Sequence, residues 1–272
     1  MLVLEQPVIV CHEVDSTQMS LDDRSSVTLP KVGPPRYKKV EYINLSELLQ
    51  LRQLGQQSAR GQRESHLQPY MTMTHSQVTL RTERLELRPL GPEHIDLTKQ
   101  LDFDPDVMKY VLFGRPLTPE EAMEVHKWLL NAATPVPGLG CWVGFDGDQF
   151  VGWWVLAPSQ SNPGQDEPPQ YNKRRAECGW RLLPKFWRKG YAKEGSRELL
   201  RHAFQDLGLN EVVGDTMAVN VACRAAMASC GLQHVRTFYN KYDNPPPGIE
   251  EGEVEYLITK DEWVRQRKAL HH

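Results

Sequence analysis

Little in this chain points to a special environment. Its five cysteines (Cys11, Cys141, Cys178, Cys223 and Cys230) are scattered over 272 residues, and no two stand as Cys-x-x-Cys. That excludes a zinc ribbon or a disulfide framework as the organising device, and it suits a reducing compartment. No apolar run approaches the roughly 20 residues that a membrane helix needs. The opening MLVLEQPVIVCHEVD has a short apolar run but no basic leader, and Glu5 interrupts it, so no secretory signal is read there. Net charge is only −3, with 25% of residues charged. A dedicated nucleic-acid binder carries a strongly basic footprint. The expectation is therefore a cytoplasmic protein, monomer or homodimer, with neither nucleic acid nor membrane as partner. His126 and His202 fall on helical patterns without a partner at ligand spacing, so no metal site is expected.

What is present divides unevenly. Residues 1–75 are polar and rich in Ser, Gln and Pro. They read as a weakly ordered extension with one helical candidate, Leu45–Leu54. Residues 76–272 read as one globular domain. Val78–Leu80 and Leu85–Arg88 read as strand, and Pro92 opens a helix to about Leu101. Thr118-Pro119-Glu120-Glu121 is a helix start: Thr118 caps, Pro119 takes the first position, and Glu121 completes a capping box. Cys141–Phe145 and Gln149–Ala157 form a hairpin through Asp146-Gly147-Asp148. Residues 158–172 read as a long loop by composition. Strands Arg175–Leu183, Glu211–Met217, Val235–Asn240 and Glu253–Thr259 follow. The helices between and after them start at Ala192, Asn220 and Thr259. The sum is an α/β (α+β) fold: a mixed sheet of six to seven strands with helices on both faces.

The stretch from Leu182 to Gly208 carries the most chemistry. A strand ends in the basic turn Trp187-Arg188-Lys189-Gly190-Tyr191-Ala192, and a helix opens at once. Ala192, Gly195, Leu199, Leu200, Ala203 and Phe204 share one face of it at 3.6-residue spacing. Gly208 stops it. A strand, a small-residue basic turn and a helix N-terminus together make an anion site, because free N–H groups and the helix dipole point at one spot. A diphosphate is the natural ligand.

Four pieces in this order resemble the GNAT acetyltransferase superfamily, most closely its Rim-type branch, over about Val78 to Trp263. They are Thr82-Glu83-Arg84-Leu85 with Leu87-Arg88-Pro89-Leu90; Glu177-Cys178-Gly179-Trp180 running into Leu183-Pro184 and Phe186–Glu194; Asn220 with Cys223 and Cys230-Gly231-Leu232; and Tyr256-Leu257-Ile258 before a Trp-bearing helix. The resemblance implies the GNAT fold, a mostly antiparallel, twisted sheet splayed at the cofactor site. It also implies acetyl-CoA as cosubstrate and direct N-acetyl transfer to a primary amine, on a small molecule or a protein N-terminus, in a ternary complex. The superfamily turn begins with Gln or Arg, then has Gly three on and Gly or Ala five on. Here those places hold Trp187, Gly190 and Ala192. Leu182, Leu183, Trp187, Arg188, Lys189, Gly190, Tyr191, Ala192 and Asn220 are the cofactor-binding residues that follow.

The resemblance makes Glu177 the catalytic base for the amine; a structural ion pair with Arg175 or Arg181 is the competing reading. Backbone N–H groups within Trp180–Leu183 are implied to polarise the thioester carbonyl. Where many members keep a Tyr as acid for the thiolate, seven residues after the Asn, this chain has Met227. Tyr191 and Tyr239 remain alternatives, as does a non-catalytic acyl-CoA sensor on the same scaffold. Cys223 reads as a small packed residue. Trp142, Trp153, Trp154, Trp180 and Trp187 read as core, with one or two walling the acceptor pocket as the alternative.

Overall fold

The computed structural model describes residues 7–10, 41–44, 77–131, 136–161, 170–240, 242 and 245–269. Pro7–Val10 (β1) and Glu41–Asn44 (β2) form a two-stranded antiparallel pair. The helical candidate Leu45–Leu54 lies outside the described residues.

The remaining strands make one sheet. In chain order they are β3 (Leu80–Arg81), β4 (Glu86–Pro89), β5 (Gly140–Asp146), β6 (Gln149–Ser161), β7 (Gln170–Leu182), β8 (Glu211–Met217), β9 (Gln233–Phe238) and β10 (Glu253–Thr259). Their spatial order is β3-β4-β5-β6-β7-β8-β10-β9. The count is eight rather than six or seven because the first expected strand doubles back on itself. The Thr82 N–H closes the turn on the Leu85 carbonyl at 2.9 Å, and Leu80 pairs with Leu87. All neighbours are antiparallel except β7 and β8.

Helices cover both faces, as the pattern implied. One face carries α1 (Ile95–Asp102), α2 (Pro105–Met108) and α3 (Pro119–Asn131), over Val143, Trp153 and Val155. The other carries α4 (Tyr191–Arg201), α5 (Val221–Ser229) and α6 (Lys260–Ala269), over Trp142, Trp154, Leu156 and Trp180. Strand β6 lies between two cores, which is why its sequence is apolar without alternation. The capping box of α3 forms as read: Glu121 N–H donates to Thr118 Oγ1 at 3.2 Å, and the Thr118 N–H to the Glu121 carboxylate at 2.8 Å. The hairpin also forms, with Gly147 at φ 57°.

One assignment is corrected. Residues 158–172 are not all loop, for β6 continues to Ser161 and β7 starts at Gln170, with Gln160 opposite Tyr171. Polar residues there were read locally, but cross-strand pairing is a non-local stabilisation that composition does not report. A register shift after Pro158 lets the ladder pass the proline, which cannot donate to it. Strand β9 also sits two residues earlier than expected. As an exposed edge strand it has no burial pattern to fix its ends.

Tight seating of α4 depends on glycine. A Cβ at Gly195 would stand 2.4 Å from the Trp154 indole, and one at Gly144 would meet the same ring at 2.3 Å. The ring fills the space that two missing side chains leave.

Candidate active site

Strands β7 and β8 pair over three residues only: Arg175 with Glu211, Ala176 with Val212 and Glu177 with Val213. Beyond Glu177, β7 keeps its ladder to β6 and β8 its ladder to β10, but nothing joins β7 to β8. The sheet opens there. The Leu183 N–H donates to Val151 O on β6 at 3.0 Å. Backbone groups alternate sides along a strand. The N–H groups of Leu182 and Trp180 therefore face the opening, within the segment expected to polarise a carbonyl.

At the end of this opening stands the basic turn. Leu183 leads into a single 3-10 turn, Pro184–Phe186. Trp187 is 41% exposed, and its indole N–H donates to the Leu182 carbonyl at 2.7 Å, tying the turn to the strand end. Arg188 has φ 59°, a left-handed value that costs a non-glycine residue about 1–2 kcal/mol. Gly190 has φ 85° and caps α4 with no side-chain acceptor for the first-turn N–H groups. Left-handed residues alternating with ordinary ones turn successive N–H groups to one side, which makes an anion-binding concavity. Arg188, Lys189 and Gly190 are exposed, and Ala192 is half-buried behind them.

Tyr191 departs from the expected picture. Its side chain is buried, with its hydroxyl donating to Asp146 and its ring edge-on to Phe186 at 5.4 Å. The bond to Asp146, then burial, raises its pKa. A hydroxyl so engaged is not placed as acid for a thiolate, and Tyr191 contributes to the turn through its backbone. Tyr239 lies just beyond β9 and is 71% exposed.

Asn220 caps α5. Its Oδ1 accepts from the Cys223 N–H at 3.2 Å, and its Nδ2 donates to Thr216 Oγ1 at 3.2 Å, which leaves one amide hydrogen. Met227 and Cys223 are buried on the α5 side of the opening, with Met227 Sδ 3.2 Å from where a Gly214 Cβ would be. Trp142, Trp153, Trp154 and Trp180 are buried, and Trp187 is exposed.

Glu177 is half-buried at the last joined pair. Its neighbours Ala176 and Cys178 face the α4–α6 core, so Glu177 faces the other way, as does Arg181. Both arginines of the competing reading have other carboxylates. Arg175 pairs with Glu255 at 3.3 Å and Glu211 at 3.9 Å, and Arg181 with Asp102 at 2.7 Å.

Two features of this face were not legible in the sequence. The Arg181–Asp102 pair is buried; burial pushes the Asp102 carboxyl up to about 6 despite the arginine, and lowers the pKa of Arg181. Asp215, on β8 just past the last parallel pair, is opposite Glu255, and its Oδ1 has no hydrogen-bond partner. Burial first, then Glu255 and Glu253, raise Asp215 to about 7, against the pull of Arg236 and Arg175. Both features join residues far apart in sequence, and no local motif marks them.

The model of the family described as "Acetyltransferase (GNAT) domain" matches residues 84–233. A curated relative from Aspergillus fumigatus, FsC-acetyl coenzyme A-N(2)-transacetylase, is 60% identical over 193 residues, covering 71% of this chain and 81% of its own. The chain belongs to the GNAT acetyltransferase family. It is an acetyl-CoA-dependent N-acetyltransferase, with acetyl-CoA as donor. Solved GNAT structures share the fold. Spermidine N-acetyltransferase from Vibrio cholerae, in complex with CoA and spermine, superposes with TM-score 0.52 at 18% identity, covering 67% of this chain and 99% of its own. The ribosomal-protein acetyltransferase RimL in complex with coenzyme A gives 0.53 at 15%, covering 66% and 97%. Among the described residues no helix is long and apolar enough to cross a membrane, and no group of three or more His, Cys, Asp or Glu could hold a metal ion.

Proposed function

We propose that residues 76–272 form the catalytic domain of this GNAT enzyme and that residues 1–75 are an extension to it. In this reading the domain transfers the acetyl group directly to a primary amine in a ternary complex. The observation that carries the proposal is the opening between β7 and β8, with the basic turn at its end and Glu177 at its root. The turn residues Trp187–Ala192 bind the donor's diphosphate through backbone N–H groups and the positive end of α4, assisted by Arg188 and Lys189. Leu182 and Leu183 line the end of the strand beside it, and the free amide hydrogen of Asn220 serves the same ligand.

Glu177 is the base, directly or through a water. It takes the proton of the acceptor ammonium, and the neutral nitrogen then attacks the carbonyl carbon. The N–H groups of Trp180 and Leu182 that face the opening stabilise the oxyanion. The carbonyl then re-forms as the C–S bond breaks, the remaining surplus proton on nitrogen passes to water, and coenzyme A leaves as the thiolate, which takes a proton from water. Trp187 stands where the superfamily turn has Gln or Arg, a departure that resembles the Rim-type branch and supports that branch for this chain.

The acceptor proposed is the FsC of the Aspergillus relative, acetylated at N(2). Sixty percent identity over 193 residues supports that choice. Incubating the full chain with acetyl-CoA and FsC, beside polyamines and peptides with free N-termini, tests it. Thiol release and an acetylated product with FsC, above all other amines, is the expected result. Turnover of another amine with none of FsC overturns the acceptor, and no thiol release with any amine overturns the mechanism.

A further inference from the structure

The motif Thr82-Glu83-Arg84-Leu85 has no part in the chemistry above. The structure nevertheless brings it to the anion turn, across more than a hundred residues of chain. Arg84 reaches over from the β3–β4 turn. Its guanidinium carbon lies 4.0 Å from the centre of the Tyr191 ring. Nη1 donates to the Lys189 carbonyl at 3.1 Å. Nε and Nη2 meet the Glu194 carboxylate at 2.7 and 2.6 Å. Glu194 also accepts from the Arg84 backbone N–H at 2.9 Å and from the Thr82 hydroxyl. A Cβ at Gly190 would stand 3.4 Å from Arg84 Nη2, so the guanidinium borders the turn itself.

Two physical demands meet at this contact. The first is charge. Glu194 lies in the first turn of α4, where a carboxylate suits the helix dipole but repels an anion at the same N-terminus. Burial opposes its ionisation. Hydrogen bonds from Thr82 and Arg84, with the Arg84 charge, nevertheless hold it below the usual carboxylate range. Its negative charge is therefore present at neutral pH, and Arg84 cancels it. The second demand is shape. Lys189 stands between the two left-handed residues, Arg188 and Gly190. A turn strained in this way keeps its form only where neighbours hold it, and the bond from Arg84 fixes the Lys189 peptide.

We propose that Arg84 is a positioning residue for the donor site. It holds the Arg188–Gly190 turn in its anion-binding shape and neutralises Glu194, so that the N-terminus of α4 offers net positive charge. The inference rests on reading that turn as the diphosphate site of acetyl-CoA.

Calorimetry of CoA binding to the full chain, with initial rates on two donors, tests it. One donor is acetyl-CoA; the other is S-acetylpantetheine, which has no diphosphate. Arg84→Ala is expected to weaken CoA binding about tenfold and to raise KM for acetyl-CoA at nearly constant kcat. It leaves KM for S-acetylpantetheine unchanged. Arg84→Ala with Glu194→Gln recovers much of the lost affinity, because the uncancelled charge is gone. Arg84→Lys, which keeps the charge but not the fork, falls between wild type and Arg84→Ala.

CoA affinity within about twofold of wild type in Arg84→Ala overturns the proposal. So does an equal loss on both donors, which marks general damage, or a double variant no better than the single one. If Arg84→Ala fails to fold by circular dichroism, Arg84→Lys with and without Glu194→Gln carries the same comparison. Wild-type protein that binds no CoA overturns the donor-site reading itself; wild type that binds CoA beside an indifferent Arg84→Ala overturns only the role of Arg84.

Discussion

The two faces of the sheet are built from different materials. On the α4–α6 side lie aromatics, aliphatics and sulfur: Trp142, Trp154, Trp180, Phe204, Cys178, Cys223 and Met227, all buried. On the other side β5 and β6 carry a second apolar core, but β7, β8 and β10 present charge: Arg175, Glu177 and Arg181 on β7, Asp215 on β8, Glu253 and Glu255 on β10. The first face seats α4, whose N-terminus is the proposed anion site, a task that packing and backbone geometry perform. In the proposed mechanism the second faces the region where an amine is chosen and deprotonated, a task for titrating side chains. In the proposed site, donor recognition is a property of the backbone and acceptor chemistry a property of individual residues.

The contrast can be broken at several points. The largest expected effect is on stability. Asp102→Ala leaves the Arg181 guanidinium buried without its carboxylate, which costs about 3–5 kcal/mol; denaturant unfolding measures it. Removing both charges as Asp102→Leu with Arg181→Met should restore most of that loss, if the pair is structural rather than chemical. The donor side breaks at one residue. Gly190→Glu places a carboxylate at the anion site and strains a left-handed position, and should weaken CoA binding by about a hundredfold or more, roughly 2.7 kcal/mol. Calorimetry with a value near wild type would remove the turn from the donor site.

Glu177→Gln tests the acceptor side. A general base is worth about 10²–10⁴ in rate. The loss should be greater at pH 7 than at pH 9, where the amine is already partly deprotonated. Equal rates for variant and wild type at both pH values would take Glu177 out of the mechanism. Asp215 tests the charged face through pH. Its folded pKa is raised to about 7, so the native state holds a proton that the unfolded state has released. Its contribution to stability is present below the unfolded value of about 3.9 and is lost as pH rises through 7. Asp215→Asn should therefore lose less stability than wild type between pH 5 and pH 8, as unfolding curves at the two values would show.

How much of this was legible depends on the range of the signal. Thr118 and Glu121 announce a helix start within four residues, and Asp146-Gly147-Asp148 a hairpin, and both formed. Strands Glu211–Met217 and Glu253–Thr259 match to the residue: Asn210 and Gly252 mark their starts, and a helix start at Thr259 marks the end of the second. The strand–turn–helix around Trp187–Ala192 was equally local. What the sequence hid lies between distant segments. Nothing near Arg181 names Asp102, and nothing near Glu194 names Arg84. Tyr191 stands inside the turn motif yet sends its ring toward Asp146, because side-chain direction follows from packing. The arms of the β6–β7 hairpin past Pro158 were missed for the same reason: their polar residues are strand only because a partner lies beside them.

The glycines packed on Trp154 bear on how such a chain can change over generations. Gly144, Trp154 and Gly195 belong to three different elements, yet any added atom at either glycine meets the same ring within 2.4 Å. The three positions are inherited as one locus. A lineage cannot enlarge residue 195 before it has shrunk residue 154, and shrinking 154 first opens a void costing about 3–5 kcal/mol. Each single step descends into a fitness valley. The depth at which α4 rests on the sheet is thereby locked, and with it the height of the turn that leads into the helix.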